Sequence, residues 1–390
     1  MSSSLGVSPS SNESLARLSR LQQYLEQDPD NLNLLAEVAD LALQCGELDL
    51  SRTAVQQALV LQPDNPFFAL RLSSVALAEG NGEEALAITA ALRHVGQDDP
   101  AIRFNQAQAL VACSRYEEAK ELLQGLVDEE APFPLALRLL LRAHHYLGEV
   151  DEAIALAQSY LEVHPEAADV AGMLSLLYFD HNDFSAAAAW SQRALAQVPD
   201  NLDALLAAGG SALGAEDTAA AKMALLRAIS VQPRSGRAWG NLGLVELLEF
   251  NLEAARDKLE QAVKYMPEHI GTWHVLGWTQ LLQGHVDEAE RSFRQTLEID
   301  DAFGDTYGGL AAVEASRGHW EQAEHYAKMA RRLDPESMSP YYAQILRLQQ
   351  EEDAAATQRL VEAALKRGQA PAGGSLYEML GRTIGKGGQR

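Results

Sequence analysis

Cysteine and histidine, the side chains that most often bind metals or act as nucleophiles and bases, are sparse in this sequence. Its two cysteines, Cys45 and Cys113, occupy the same place in two repeats of the chain that are not adjacent. We therefore expect them to be too far apart for a disulfide, and to be buried and reduced. His144 and His145 are adjacent, so a helix would point them in different directions, and no His-Glu-x-x-His sequence occurs. These residues predict no metal site.

Two glycine-containing segments match catalytic motifs only in part. Residues 381–387, Gly-Arg-Thr-Ile-Gly-Lys-Gly, have three residues between the first two glycines. A phosphate-binding loop needs four, and needs Ser or Thr after the lysine. Residues 209–213, Gly-Gly-Ser-Ala-Leu, lack the final glycine of the turn that carries a nucleophilic serine. The sequence therefore predicts a protein that is not an enzyme and holds no cofactor.

The charge balance is strongly acidic, with 55 Asp and Glu against 31 Lys and Arg and a formal net charge of −24. Such a surface repels nucleic acid and anionic lipid at long range. No stretch of about 18 apolar residues is present, and the first residues lack the basic and apolar parts of a secretory signal. We expect a cytoplasmic protein that binds no nucleic acid and inserts into no membrane.

Prolines recur along the chain at intervals of 34 residues or multiples of 34. They are Pro29, Pro63, Pro165, Pro199, Pro233, Pro267 and Pro335. A second column at the same period holds one serine and eight alanines, namely Ser51, Ala85, Ala119, Ala153, Ala187, Ala221, Ala255, Ala289 and Ala323. A constant period of this length is typical of a stacked array, in which 390 residues need no central core.

The repeat from residue 236 to 269 shows the pattern best, with Trp239, Leu242, Gly243, Ala255 and Pro267. This pattern resembles the tetratricopeptide repeat. The resemblance implies an all-α fold, a right-handed superhelical solenoid of about nine helix hairpins. Within each repeat, an apolar stripe at helical spacing marks each helix, and proline ends the second one.

The repeat register also predicts the organisation of the chain. We expect a disordered N-terminus over 1–11, a capping helix over 12–31, nine repeats over 32–337, a capping helix pair over 338–371 and a flexible basic tail over 372–390. Within the tail, a helix would place Leu376, Leu380 and Ile384 on one side. We consider two alternatives for it: reversible docking on the acidic body, or a disordered terminus.

By resemblance, the first helix of each repeat lines the concave face of the array, where partners bind. In the fourth repeat that face would carry Arg138, Arg142, His145 and Tyr146. The two arginines are one helical turn apart, so their repulsion would be relieved by an acidic partner or by acids of the chain itself. The family's clamp for a C-terminal carboxylate needs lysine, arginine and asparagine in three consecutive repeats, and no such set is found.

Later repeats make the same face apolar. The residues predicted to bind a partner there are Leu176, Phe179, Leu244, Leu248, His274, Trp278 and Leu282. Either neighbouring helices cover them, because most apolar residues on helices belong to a core, or they form an exposed protein-binding groove.

The function expected from these features is that of an adaptor or scaffold that holds an extended or helical segment of another protein. Two alternatives stay open. One is a secretion-type chaperone that binds an apolar segment of a client, and the other is a non-catalytic targeting subunit of an enzyme complex. The partner, the pathway and the oligomeric state are not indicated by the sequence.

Overall fold

The structure is a computed structural model that describes residues 9–128 and 134–367. The predicted all-helical repeat fold is confirmed, and no strand occurs in these two ranges. The first helices of the nine hairpins are α2 (Leu32–Cys45), α4 (Pro66–Ala78), α6 (Pro100–Ala112), α8 (Pro134–Tyr146), α10 (Ala168–Asp180), α12 (Leu202–Gly214), α14 (Gly236–Leu248), α16 (Ile270–Leu282) and α18 (Gly304–Ser316).

The second helices are α3 (Leu48–Leu61), α5 (Gly82–His94), α7 (Tyr116–Val127), α9 (Val150–Val163), α11 (Phe184–Gln197), α13 (Thr218–Val231), α15 (Leu252–Tyr265), α17 (Val286–Ile299) and α19 (Trp320–Leu333). Before the hairpins stands α1 (Pro9–Gln27), and after them stand α20 (Pro340–Gln350) and α21 (Ala354–Arg367). Helix α1 thus begins before the expected boundary at residue 12. Residues 1–8 of the predicted N-terminus and the whole predicted basic tail, residues 372–390, lie outside the described residues.

The chain divides into two compact units at the bond between Val163 and His164. The first unit contains α1 to α9 and the second contains α10 to α21. Within each unit, a first helix packs against the second helix of its own hairpin, and that second helix packs against the next first helix. This packing buries the small and aliphatic residues that recur at the repeat period.

The hairpin of α16 and α17 shows why the repeated residue types are needed. Leu276 on α16 and Phe293 on α17 are buried, with 2% and 0% of their surface exposed. A Cβ atom added to Gly277 would lie 2.7 Å from the ring of Phe293, so only glycine lets the two helices approach this closely. The glycine of the repeat pattern is therefore a packing requirement.

Each hairpin turns through one residue in the left-handed region, the fifteenth of its repeat. Glycine supplies it at five turns, Gly46, Gly80, Gly148, Gly284 and Gly318, with φ between 78° and 84°. Four hairpins use other residues, Ser114, Asn182, Glu216 and Phe250, with φ between 58° and 62°. Phe250 is the unusual one, because a bulky side chain in this region is strained.

Ion pairs connect one hairpin to the next at several places. Arg52 binds Glu79 and Glu84 of the following hairpin, and Lys120 reaches Glu149 at 2.7 Å. Lys222 lies 2.6 Å from Glu246. Burial acts to raise the pKa of Glu246, but hydrogen bonds from Lys222 and Asn251 hold that pKa below its usual value. These three basic residues all follow the alanine or serine column directly, at the twenty-first residue of the repeat.

Candidate partner-binding surfaces

His274 and Trp278 form a hydrogen-bonded pair on one face of α16, where their spacing of four residues brings them together. The indole N–H of Trp278 donates to Nε2 of His274 over 3.0 Å. Because Nε2 accepts, the neutral ring carries its proton on Nδ1, which is buried and has no partner within the described ranges. Burial lowers the pKa of His274, while the charge of Asp305 acts in the opposite direction. The ring is therefore held neutral.

Trp278 is half-buried, and its indole packs inside the second unit. Its ring centroid lies 5.7 Å from that of Phe293 and 5.4 Å from that of Tyr342 on α20, both in edge-to-face geometry. Neighbouring helices therefore cover part of this residue, as one of the two sequence-based alternatives proposed. Removing Trp278 would disturb the fold as well as any surface that it offers.

Leu244, Leu248 and Leu282 give the rest of the predicted apolar face. Leu244 and Leu248 lie one turn apart on α14 and are half-buried. Leu282, in the last turn of α16, is 51% exposed. We name Leu244, Leu248, Trp278 and Leu282 the apolar row; Leu282 is its most accessible member.

Two other predicted residues of this face lie deeper. Leu176 is only 7% exposed and belongs to a core cluster with Leu205 and Leu206 of α12, so its assignment to a binding surface is corrected. Phe179 is half-buried, and its ring lies 2.5 Å from where a Cβ atom on Gly210 would stand. Because Gly210 has no side chain, α12 approaches α10 closely and closes over both residues.

A sequence model of the tetratricopeptide repeat matches residues 70–134, 138–201 and 206–269. The chain belongs to the tetratricopeptide-repeat family. A search of curated proteins finds no match to the sequence.

Solved structures share the tetratricopeptide fold at low sequence identity. A monomeric mutant of IFIT1 with Gppp-AAAA is 13% identical and has a TM-score of 0.56 over 90% of this chain and 94% of that one. The human IFIT1 dimer with m7Gppp-AAAA is 14% identical, with a TM-score of 0.54 over 93% and 95%. YrrB, described as a tetratricopeptide protein with an unusual peptide-binding site, is 21% identical over 48% of this chain and 97% of its own, with a TM-score of 0.40. The likeness to IFIT1 shows the fold.

The predicted basic residues lie on α8, in the first unit of the tetratricopeptide array. Arg138, Arg142 and His145 are half-buried, and Tyr146 is 53% exposed. The Tyr146 ring stacks on Tyr116, with centroids 4.7 Å apart and an interplanar angle of 21°. These four residues share one helix, whereas the apolar row belongs to the second unit.

The cysteines and His144 form no metal centre among the residues that the structure describes. Cys45 and Cys113 are half-buried rather than fully buried as predicted, and burial raises the pKa of the Cys113 thiol. The Nδ1–H of His144 donates a 2.7 Å hydrogen bond to the carboxylate of Glu149. Within residues 9–128 and 134–367, no group of three His, Cys, Asp or Glu side chains is placed to hold a metal ion, and no helix is long and apolar enough to cross a membrane.

Sequence reasoning missed two features of the tetratricopeptide array. One is Phe250, which combines a left-handed backbone with 73% exposure in the turn between α14 and α15. The repeat register could have identified this, because the fifteenth residue is glycine in most repeats. The other is an open apolar groove along α11, which is lined by Ala208, the seventh residue of its repeat.

Proposed function

We propose that this tetratricopeptide protein is a non-catalytic cytoplasmic adaptor or scaffold that holds a segment of a partner protein against the apolar row. The exposure of Leu282 carries the proposal, because a large aliphatic side chain at the end of a row of apolar residues offers surface that a partner can bury. Burial of apolar area contributes about 25 cal/mol per Å². A client of a secretion-type chaperone would use the same surface in the same way.

The charge of the chain supports a protein partner over nucleic acid. The IFIT1 structures contain m7Gppp-AAAA or Gppp-AAAA, which are polyanions. The present chain has a formal net charge of −24, so an RNA of this kind would be repelled. The negative charge of the chain would not repel a basic or apolar protein segment.

The proposal is tested at Leu282, with Leu226 as a matched control, because Leu226 on α13 is 50% exposed and lies on a second helix. A photo-crosslinking amino acid at position 282 captures the partner in the host cell, and the purified partner is then titrated. We expect Leu282→Glu to weaken binding at least tenfold and Leu226→Glu to change it less than twofold. Both variants should unfold at nearly the temperature of the unchanged chain.

Equal effects of the two substitutions would contradict the proposal. So would tight binding of a capped oligoribonucleotide that Leu282→Glu leaves unchanged. The basic residues of α8 give an independent check, since Arg138→Ala should leave the binding of an apolar segment to the second unit unaltered.

A further inference from the structure

An open groove of about 850 Å³ runs between α11 and the start of α13, with α12 as its floor. The floor is made of small residues, Ala208, Ser211 and Ala212, and the wall of α11 includes Ala188 and Leu195. Lining residues extend along α11 from Phe184 to Ala196, which is a length of about 18 Å at the helical rise. The groove is therefore long enough for three or four turns of another helix.

The groove exists because the seventh residue of this repeat is Ala208. Seven other repeats have a branched aliphatic residue there, Val38, Leu72, Leu140, Leu174, Leu242, Leu276 and Leu310. The one remaining repeat has Gln106 there, and the helix pair after the repeats has Gln344 at the equivalent place; each also lines a groove, of about 450 Å³ and 610 Å³. Loss of the seventh aliphatic side chain thus opens a space between successive second helices.

The groove at Ala208 differs from the other two in being apolar. Arg115, Glu118 and Glu121 line the groove at Gln106, and Arg347, Glu351 and Arg359 line the groove at Gln344. At Ala208 the wall carries Ala188, at the repeat position where Arg52, Lys120 and Lys222 bridge to the next hairpin. Met223, equivalent in the repeat to Glu121 and Arg359, is 71% exposed on α13. In the lining of this groove a small residue, Ala188, thus replaces a charged one, while Met223 lies outside the lining.

Two further observations indicate which kind of segment would fit the groove. The hydroxyl of Ser211 is buried and has no hydrogen-bond partner among the described residues. At one end the groove reaches Asp217, which follows Glu216 in the turn to α13. A segment that fits this groove would therefore present bulky apolar side chains along its length and positive charge toward one end.

The geometry points to residues 375–390 of a second copy of this chain as that occupant. Leu376, Leu380 and Ile384 recur every four residues, a spacing that places them on one face of a helix about 12 Å apart from first to last. Three basic residues accompany them, Arg382, Lys386 and Arg390. The aliphatic side chains fill the space left by Ala208 and Ala188, and the basic residues lie toward Glu216 and Asp217.

The distance along the array requires that the occupant come from another copy. Four hairpin steps separate α21 from α13, and each step is at least one helix spacing of about 8–10 Å. Residues 368–374, which join α21 to this segment, span at most about 25 Å when fully extended. To reach the groove, the segment of the same chain would have to pass four hairpins, which is farther along the array than this linker extends, so we assign the occupant to a second molecule.

Sedimentation velocity of the full chain over a range of concentrations tests the contact. We expect reversible self-association that is weakened at least tenfold by Ala208→Leu, which restores the seventh leucine and fills the groove. Gln106→Leu makes the same replacement in the other unit and should change the association less than twofold. A labelled peptide of residues 375–390, titrated into dilute full chain, should show the same pattern.

Replacing Leu380 by Ser in the peptide should also lower its affinity at least tenfold. A chain that stays monomeric at all concentrations, or peptide binding that Ala208→Leu leaves unchanged, would overturn the assignment. Since the apolar row is not altered in these variants, either result leaves the adaptor function standing. Cooperative thermal unfolding of Ala208→Leu at or above the original temperature verifies that the fold is retained.

Discussion

At the scale of single residues, His274 shows how one hydrogen bond fixes the state of a titratable group. Its Nε2 must stay unprotonated to accept the indole N–H of Trp278. The ring is surrounded by Phe293 and Phe303, with centroids 5.7 Å and 5.5 Å away, so a charged imidazolium would lack solvation. The pair is stable only while the histidine is neutral.

We therefore expect the free energy of unfolding to rise with pH between about 5 and 7. Unfolded histidine titrates near pH 6.5, and the lowered pKa of His274 means that the folded state binds fewer protons. The contribution of His274 to the free energy of unfolding is complete above the pKa of unfolded histidine. It is lost as the pH falls below that pKa. His269 shifts in the same direction because of burial.

Urea unfolding at pH 7 and pH 5 measures this effect. His274→Gln keeps a hydrogen-bond acceptor for Trp278 but cannot be protonated, so it should lose less stability on acidification. His325→Gln, at an exposed position, serves as the control. Identical losses in all three proteins would show that His274 does not contribute.

The sequence predicted that His274 and Trp278 share a helix face, because they are four residues apart, but it did not predict the hydrogen bond between them. It did not predict how deep they lie. The depth of Trp278 depends on Tyr342, which is two repeats further along, and the depth of Phe179 depends on the missing side chain of Gly210. How deeply a side chain of a first helix is buried depends on residues of other repeats, and the pattern of a single repeat does not include those residues.

At the scale of elements, the hairpin turn requires a left-handed residue at one fixed place. The period predicted two helices in each repeat, but the left-handed residue of each turn was recognised only in the structure. The backbone strain differs between turns, because Phe250 has a φ of 58° at the position where most repeats have glycine. A non-glycine residue in this conformation costs about 1–2 kcal/mol.

Phe250→Gly should raise the free energy of unfolding by about 1 kcal/mol, because it relieves the strained backbone and loses little packing from a side chain that is 73% exposed. The reciprocal change, Gly284→Phe in the next turn, should lower it by about 1–2 kcal/mol. Denaturant unfolding of both variants checks the pair. No change in either would mean that the turns tolerate any residue.

At the scale of the whole molecule, attraction and repulsion between charges oppose each other. Ion pairs join successive hairpins, as where Arg317 binds Asp287 and Glu290 of the hairpin before it. Arg317 and Glu290 are half-buried and Asp287 is exposed, and ion pairs close to the surface contribute little individually, whereas the excess of 24 negative charges repels itself throughout.

Sodium chloride should therefore stabilise the fold. Between 0.1 M and 1 M salt the screening length falls from about 10 Å to 3 Å, which suppresses the long-range repulsion most. We expect the urea midpoint at pH 7 to rise over this range. A falling midpoint would show that the ion pairs between hairpins outweigh the net charge.

The three glycines of α12, Gly209, Gly210 and Gly214, also bear on the order in which the second unit folds. Glycine inside a helix costs about 0.8–1.0 kcal/mol relative to alanine, so α12 has little tendency to form by itself. We therefore expect α12 to become ordered after α10, α11 and α13 are in place around it. An element that forms after the transition state affects the rate of unfolding more than the rate of folding. The lifetime of the native state, rather than the speed of reaching it, depends on this helix.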